Sequence, residues 1–330
     1  MKAAFIRATG PADVIEIGEL PRPEIGEFGV LVRVRFSTVN PVDTYIRGGL
    51  VPFELPLPFV PGCDLAGLVE AVGPAVRRFR PGDRVWGSNQ GLRGRQGTAA
   101  ELAAVDERWL YPSPEGVPDE DLAAVALVGI TAHLGLFRDA GLRSGETVFV
   151  SGGSGGVGSA VVQMARLSGA RVVTTAGSPA KAETCKNLGA DEVILYREQT
   201  VADRVRELCP GGVDVWYETL RQPDFMAAVP LLAPRGRMIV MAGRDATPAF
   251  PVGAFYTRDC RLHGFAMFNA TPDDLLGCGE DIAGWMREGK LRANIDRVLP
   301  LERLAEAHRL QEESTVQLSG ALAGKIVIRI

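Results

Sequence analysis

Histidine is scarce in this chain and closely spaced thiols are missing. The three histidines, His133, His263 and His308, are scattered, and no His/Cys cluster has zinc-ligand spacing. The five cysteines (Cys63, Cys185, Cys209, Cys260 and Cys278) contain no CxxC pair, and their number is odd. A disulfide framework is therefore not expected and a reducing cytoplasm is the simpler setting. Each of these side chains reads first as a packed or surface group, so no metal site is expected. Excess positive charge is lacking too. The net charge is −4, from 36 Lys and Arg against 40 Asp and Glu. Neither nucleic acid nor an anionic membrane surface is an expected partner. There is no long hydrophobic run. The most apolar region, 122–137, is interrupted by Thr131, His133 and two glycines. It falls short of the roughly 18 apolar residues of a membrane span. The apolar run before Arg7 is too short for a signal peptide.

The chain has 330 residues, 46% of them hydrophobic and 23% charged, a size and composition that suggest about two soluble domains. Short apolar or alternating runs fill the first 120 or so residues, at 2–7, 14–18, 30–39, 67–72, 84–87 and 99–105, with Pro and Gly between them. Such spacing predicts a small barrel-like β unit. The rhythm changes after Pro118. A helix is predicted over 119–136, then strands at 148–150, 171–175, 191–195, 213–217 and 237–242. Helices at 157–168, 179–188, 201–209 and 225–232 separate them. This alternation indicates a parallel sheet covered on both faces. Two helical stretches, 272–288 and 301–312, precede a last strand at 325–330 that returns to the first unit. The expected organisation is residues 1–122 plus 265–330 around an inserted nucleotide-binding domain of 123–264, with a ligand cleft between the two.

The densest signal is Glu-Thr-Val-Phe-Val-Ser-Gly-Gly-Ser-Gly-Gly-Val-Gly at 146–158. Gly153, Gly155 and Gly158 fit G-x-G-x-x-G, after a strand and opening a helix. Glycines permit a tight turn and let backbone N–H groups approach a pyrophosphate at the helix N-terminus. The next strand discriminates between nucleotides. NAD-preferring sites carry Asp or Glu near its end, to bind the ribose 2′-OH. Here it runs Arg-Val-Val-Thr-Thr-Ala-Gly-Ser over 171–178, with Lys181 following and no carboxylate. Ser178 and Lys181 suit a 2′-phosphate. NADPH (NADP) is favoured over NADH.

Almost the whole chain resembles the medium-chain dehydrogenase/reductase superfamily, in particular its zinc-free quinone oxidoreductase branch, the zeta-crystallin-like proteins. The segments that carry the resemblance are Asn-Pro-Val-Asp-Thr-Tyr-Ile-Arg-Gly-Gly at 40–49, Pro-Gly-Cys-Asp-Leu-Ala-Gly-Leu-Val at 61–69 and Gly-Asp-Arg-Val at 82–85. Gly-Ile-Thr-Ala at 129–132, the glycine loop, Gly-Ala-Asp at 189–191 and Gly-Arg-Met-Ile at 236–239 add to them. The resemblance implies an α/β fold, a doubly wound Rossmann sheet inserted into a GroES-like β-barrel domain. It also implies NADPH as hydride donor and a homodimer or homotetramer. Zinc-dependent relatives carry Cys near the place of Asn40 and Gly-His-Glu where this chain has Gly62, Cys63 and Asp64. Zinc independence is therefore expected.

By the same resemblance, Tyr45 lines the nicotinamide pocket and Thr131 lies near the carboxamide. Ser154, Gly155, Gly156 and Val157 form the pyrophosphate cradle together with Gly153. Gly177, Ser178, Lys181 and Tyr196 form the adenosine-ribose and 2′-phosphate site. Gln222, Gly243, Arg244, Phe265, Ala266 and Met267 fall in cofactor-contacting loops. Asn40, Asp43 and Tyr45 are the catalytic candidates, with Asn40 and Tyr45 placed to hydrogen-bond an acceptor oxygen. A second reading stands beside this one. Asn40-Pro41-Val42-Asp43 is also a good helix start, with an Asn cap, Pro at the first position and an acid in the first turn. The expected activity is NADPH-dependent hydride transfer to a small-molecule quinone or conjugated enone. An enoyl-thioester reductase and an NADPH-binding structural protein with little turnover stay open as alternatives.

Overall fold

The computed structural model describes residues 1–52, 54–317 and 319–330. The chain opens with β1 (Lys2–Phe5), β2 (Glu16–Glu19), β3 (Gly29–Val39), α1 (Pro41–Arg47), β4 (Leu65–Val72), β5 (Arg84–Gly87), β6 (Leu102–Asp106) and β7 (Leu110–Pro112). Then come α2 (Asp119–His133), β8 (Thr147–Val150), α3 (Gly156–Leu167), β9 (Arg171–Ala176), α4 (Pro179–Asn187), β10 (Glu192–Leu195), α5 (Val201–Leu208), β11 (Val213–Glu218) and α6 (Phe225–Ala228). The remainder is β12 (Leu232–Val240), α7 (Val252–Tyr256), β13 (Arg261–Gly264), α8 (Pro272–Arg287), β14 (Ile295–Pro300), α9 (Leu304–Thr315) and β15 (Lys325–Arg329). Backbone contacts divide it into two units, Met1–Leu127 with Thr271–Ile330, and Val128–Ala270. The dividing points lie five or six residues beyond those expected from the sequence, and the first falls inside α2.

In the first unit a seven-stranded sheet runs β14-β15-β3-β4-β5-β7, with β6 also paired to β3. The long strand β3 organises it. Antiparallel pairing places β6 along 29–33 and β15 along 36–39 of β3, while β4 runs along its other edge. Alternate residues Val30, Val32 and Val34 enter one core with Leu65, Val69, Val85, Val105 and Leu110, as the two-residue strand period requires. Gly67 shows how closely β3 and β4 approach: a Cβ there would lie 2.1 Å from the Arg33 carbonyl oxygen.

The second unit holds a six-stranded, all-parallel sheet in the order β10-β9-β8-β11-β12-β13. Counted in chain order this is the Rossmann arrangement, with the switch point between β8 and β11. Phe149, Val173, Ile194, Trp216 and Met238 fill one core, where the Phe149 and Trp216 rings stack with centroids 3.9 Å apart. The apolar face of α3, Val161, Val162, Met164 and Ala165, is fully buried.

Several elements differ from the sequence expectation, among them the short β7 and α7 and the strand β14, which were not expected. The helix at 225–232 is shorter. It passes into a 3-10 turn containing Pro230, and β12 begins at Leu232 instead of 237. The strand β13 was not expected: it is a short sheet edge, mostly exposed, without an alternating pattern. The helix from Asp119 does not stop at 136. It continues through a π-helical turn, Leu134–Asp139. Together Asp119–Asp139 spans 21 residues and contains an 18-residue window of mean hydropathy 1.5, long and apolar enough to cross a membrane by length and composition, and 72% of that window is buried inside the protein. The glycines that break the apolar run in sequence do not break the helix.

The π turn has a visible cause. The buried Tyr217 hydroxyl donates to the Thr131 carbonyl at 2.7 Å, inserting a side chain into the helical ladder. Gly135 makes the room: a Cβ there would lie 2.4 Å from that hydroxyl oxygen. Tyr217→Phe is expected to cost about 1 kcal/mol of stability, the worth of one hydrogen bond. Urea unfolding of the variant checks this, and an unchanged midpoint would mean the bond contributes nothing.

Candidate functional site

The glycine loop links the end of β8 to the first turn of α3. Gly152 has a left-handed backbone (φ 73°), and the Gly155 N–H closes the turn on the Gly152 carbonyl at 3.1 Å. Two motif glycines are demanded by the protein's own packing. A Cβ at Gly158 would lie 2.1 Å from the Gly152 carbonyl oxygen, and one at Gly153 would lie 2.3 Å from Thr174 Oγ1. Gly155 is different. A Cβ there would meet only the Gly152 carbonyl oxygen, at 3.4 Å. It is also the N-cap of α3, no side chain caps that end, and the first turn carries no acid. Gly153 and Ser154 are buried beside this end, and Gly155, Gly156 and Val157 are partly exposed around it. The loop is thus a cradle that a side chain would fill, at a helix terminus whose uncapped N–H groups suit an anion.

The end of β9 lies next to this loop in the sheet. Gly177 and Ser178 follow the strand, and Ser178 caps α4 by accepting from the Lys181 backbone N–H. The Tyr196 hydroxyl stands over Gly177, where a Cβ would lie 2.5 Å from it. The strand end and the first turn of α4 bring no carboxylate. Gly177, Ser178 and Tyr196 therefore lie close together, with Lys181 in the first turn of α4. A second group forms where the 219–224 and 241–246 loops touch. Gly243 (φ 91°) lies against the Arg221 carbonyl and Pro223, and Arg221 pairs with Asp245 at 3.6 Å. Gln222 is exposed between these residues and Arg244 is exposed beside Asp245. Further on, Phe265 lies under the Arg138 guanidinium at 5.5 Å, Ala266 precedes a 3-10 turn and Met267 is buried in it.

At the switch point the structure adds residues the sequence reading missed. Glu218 ends β11 and is buried. It accepts from Ser151 Oγ at 3.0 Å, Trp216 Nε1 at 3.1 Å and the Leu220 N–H at 2.9 Å. Burial raises its carboxyl pKa above the usual value, against those hydrogen bonds. The Thr219 hydroxyl donates to the Ser151 carbonyl. These contacts tie the end of β8 to the end of β11. The legible signal was position: a polar Glu-Thr pair ending a strand of a doubly wound sheet at its switch point.

The catalytic candidates Asn40, Asp43 and Tyr45 lie in the first unit, at and within α1. Pro41 occupies the first helical position, and Asp43 Oδ2 accepts from the Asn40 N–H at 2.7 Å. Asp43 Oδ1 accepts from the Cys63 thiol at 3.0 Å. The Asn40 amide is fully buried. Its Nδ2 donates to Asp64 Oδ2 at 2.8 Å and Thr38 Oγ1 at 3.3 Å, and its Oδ1 accepts from Lys325 Nζ. Asp64 also accepts from Thr38 Oγ1 and Ser88 Oγ, both at 2.6 Å, and from the Leu127 N–H at 3.0 Å. The helix-start reading therefore describes Asp43, which holds the Asn40 N–H, whereas the Asn40 side chain makes no capping hydrogen bond because its amide is taken by Asp64, Thr38 and Lys325; both side chains are committed to protein partners. Tyr45 is partly exposed on the same helix. Burial pushes the Asp43 carboxyl up to about 6, raises the Cys63 thiol and lowers the Lys325 ammonium. All five cysteines are buried thiols outside any disulfide. Among the described residues no three His, Cys, Asp or Glu side chains gather as a metal site.

Residues 26–115 match the family described as alcohol dehydrogenase GroES-like domain, and 156–278 match zinc-binding dehydrogenase. The quinone oxidoreductase of Lama guanicoe is 33% identical over 99% of this chain and 97% of its own length. A solved NAD-dependent alcohol dehydrogenase superposes with a TM-score of 0.90 at 33% identity, covering 100% of both chains. A mycobacterial protein solved with NADPH gives 0.86 at 30% identity, again over 100% of both.

Two buried groups set opposite pH dependences. Asp43, raised to about 6, makes the folded state bind a proton more tightly, so its contribution is full at low pH and is lost as pH rises to 6. His308, held down to about 3 by burial and by Arg47, does the reverse and destabilises the fold as pH falls below its ordinary value. Asp43→Asn is expected to steepen the loss of Tm between pH 6 and 4, and His308→Leu to flatten it. Thermal melts across that range check both signs.

Proposed function

The chain belongs to the medium-chain dehydrogenase/reductase superfamily, on its quinone oxidoreductase branch, and from that premise we propose an NADPH-dependent reductase that transfers hydride to quinones or α,β-unsaturated carbonyls without zinc. The observation that carries the nucleotide half is the carboxylate-free end of β9, where the Tyr196 hydroxyl stands over Gly177 and Ser178 caps the helix that carries Lys181, next to the open cradle at Gly155. Ser154, Gly155, Gly156 and Val157 would hold the pyrophosphate, and Ser178 and Lys181 the 2′-phosphate. Thr131, Gln222, Gly243, Arg244, Phe265, Ala266 and Met267 complete the nucleotide's surroundings. Bound there, NADPH supplies a hydride from its nicotinamide ring.

The acceptor half needs little chemical help. A quinone or enone is itself electrophilic, so orientation does most of the work, worth about 7–11 kcal/mol in favourable systems. Tyr45 is the side chain we assign to the acceptor oxygen. Asn40 and Asp43 support it from beneath, since their polar atoms are engaged inside the protein. The same reading includes a homodimer or homotetramer. The edge strand β13, with Leu262 exposed, and α7 before it, with Val252 and Tyr256 exposed, are surfaces such an assembly would cover.

The test is an acceptor panel of 1,4-benzoquinone, naphthoquinones, 2-alkenals and crotonyl-CoA, each with NADPH and NADH. Quinone- or enone-dependent NADPH oxidation is expected. Preferred turnover of crotonyl-CoA would instead identify a thioester reductase, and tight NADPH binding without turnover a binding protein. Lys181→Ala is expected to raise the KM for NADPH roughly tenfold, the size of one charge-assisted hydrogen bond, and to leave NADH unaffected. Equal effects on both nucleotides would remove Lys181 from the 2′-phosphate.

A further inference from the structure

The polar cluster of the first unit raises the question of where its positive charge comes from. Asp43 and Asp64 are both buried, and an uncompensated buried carboxylate is strongly unfavourable. A metal ion is one candidate, but the donors present do not fit one, and the match to zinc-binding dehydrogenase covers 156–278, which contains no residue of this cluster. The Cys63 thiol is a donor to Asp43, and burial keeps it protonated. Asn40 offers an amide. The Asp64 oxygens already accept from Thr38, Asn40, Ser88 and Leu127. Among the described residues no three metal-binding side chains gather.

The cluster instead contains an ammonium. Lys325 is the first residue of β15, 285 positions after Asn40, and its side chain is 5% exposed. Its Nζ donates to the Val39 carbonyl at 3.1 Å and to Asn40 Oδ1, and lies 3.9 Å from Asp64 Oδ2. An amide oxygen facing an ammonium fixes the amide's orientation. Asn40 Nδ2 must then turn to Asp64 and Thr38. One cation thus balances Asp64, orients Asn40 and secures the residue that opens α1. A second cation would be repelled from the same place.

We propose that Lys325 is a built-in cation, a positioning residue that holds Asp64, Asn40 and the start of α1, and with it Tyr45, in place of a metal ion. The role of Tyr45 rests on the reductase reading; the charge balance does not, so two of the readouts below need no turnover.

The first readout is metal content of the full chain after loading with Zn(II) or Co(II) and dialysis. Far less than one equivalent is expected, with no cobalt–thiolate absorption. A tightly held equivalent overturns the proposal. The second is a double-mutant cycle in Tm. Lys325→Met lowers Tm by leaving Asp64 and the Asn40 oxygen without their cation. Adding Asp64→Asn recovers much of that loss, because Asn40, released from Nζ, can turn its oxygen toward the new amide. Losses that simply add show independent sites and overturn the proposal. If either variant fails to fold, the metal content of the unaltered chain still decides. In the quinone assay, Lys325→Met raises the acceptor KM on the order of tenfold, the worth of one misplaced hydrogen bond, with the NADPH KM unchanged. The double variant restores it. If the unaltered protein turns over no quinone or enone, the reductase reading fails, while metal content and the cycle still judge Lys325.

Discussion

The second unit depends on one close approach, that of the first turn of α3 to the turn after β8. Position 158 has no space for a side chain because the Gly152 carbonyl fills it. Any larger residue pushes the helix away from the sheet and withdraws its N-terminal N–H groups from the edge they serve. Because all six strands are parallel, their carboxyl ends lie along that one edge. The glycine turn, the Ser178 cap, the Glu218 network and the loop at Gly243 therefore line up on it. The direction of the strands brings these residues together from points far apart in the chain.

The first unit is governed by charge balance. Its buried carboxylates do not lie in water, and each must find donors or a cation within the protein. Asp43 finds the Asn40 N–H and the Cys63 thiol. Asp64 finds two hydroxyls, an amide and a backbone N–H. The ammonium arrives with β15, so the end of the chain completes a cluster begun at β3. The antiparallel pairing of Ile326 with Val39 puts Lys325 alongside Asn40. Strand register, in this sense, is what delivers the charge.

Much of this was legible in the residues. The alternation of strands and helices, the glycine turn, the capping sequence at Asn40-Pro41 and the bare end of β9 are local patterns with local causes. Their neighbours along the chain enforce them. The misses share another cause. The strand β13 pairs only as a sheet edge, so it carries no burial rhythm. The π turn is created by Tyr217, 86 positions from the carbonyl it binds. The early start of β12 answers to its pairing with Val213. None of these leaves a periodic trace.

Asn40 marks the division most clearly. From composition and spacing it was a polar residue at a helix start, equally suited to capping and to touching an acceptor. The chain alone settled that an Asn, a Pro and an Asp would open a helix there, because those preferences act within four residues. It also settled the glycine turn after β8, since glycine's freedom is a property of the residue itself. Which way the Asn40 amide faces depended on Lys325, brought in across a sheet. The joining of Glu218 to Ser151 depended on two parallel strands lying side by side. Contacts of that kind exist only once the chain has folded, because they join residues whose neighbours in sequence say nothing about each other.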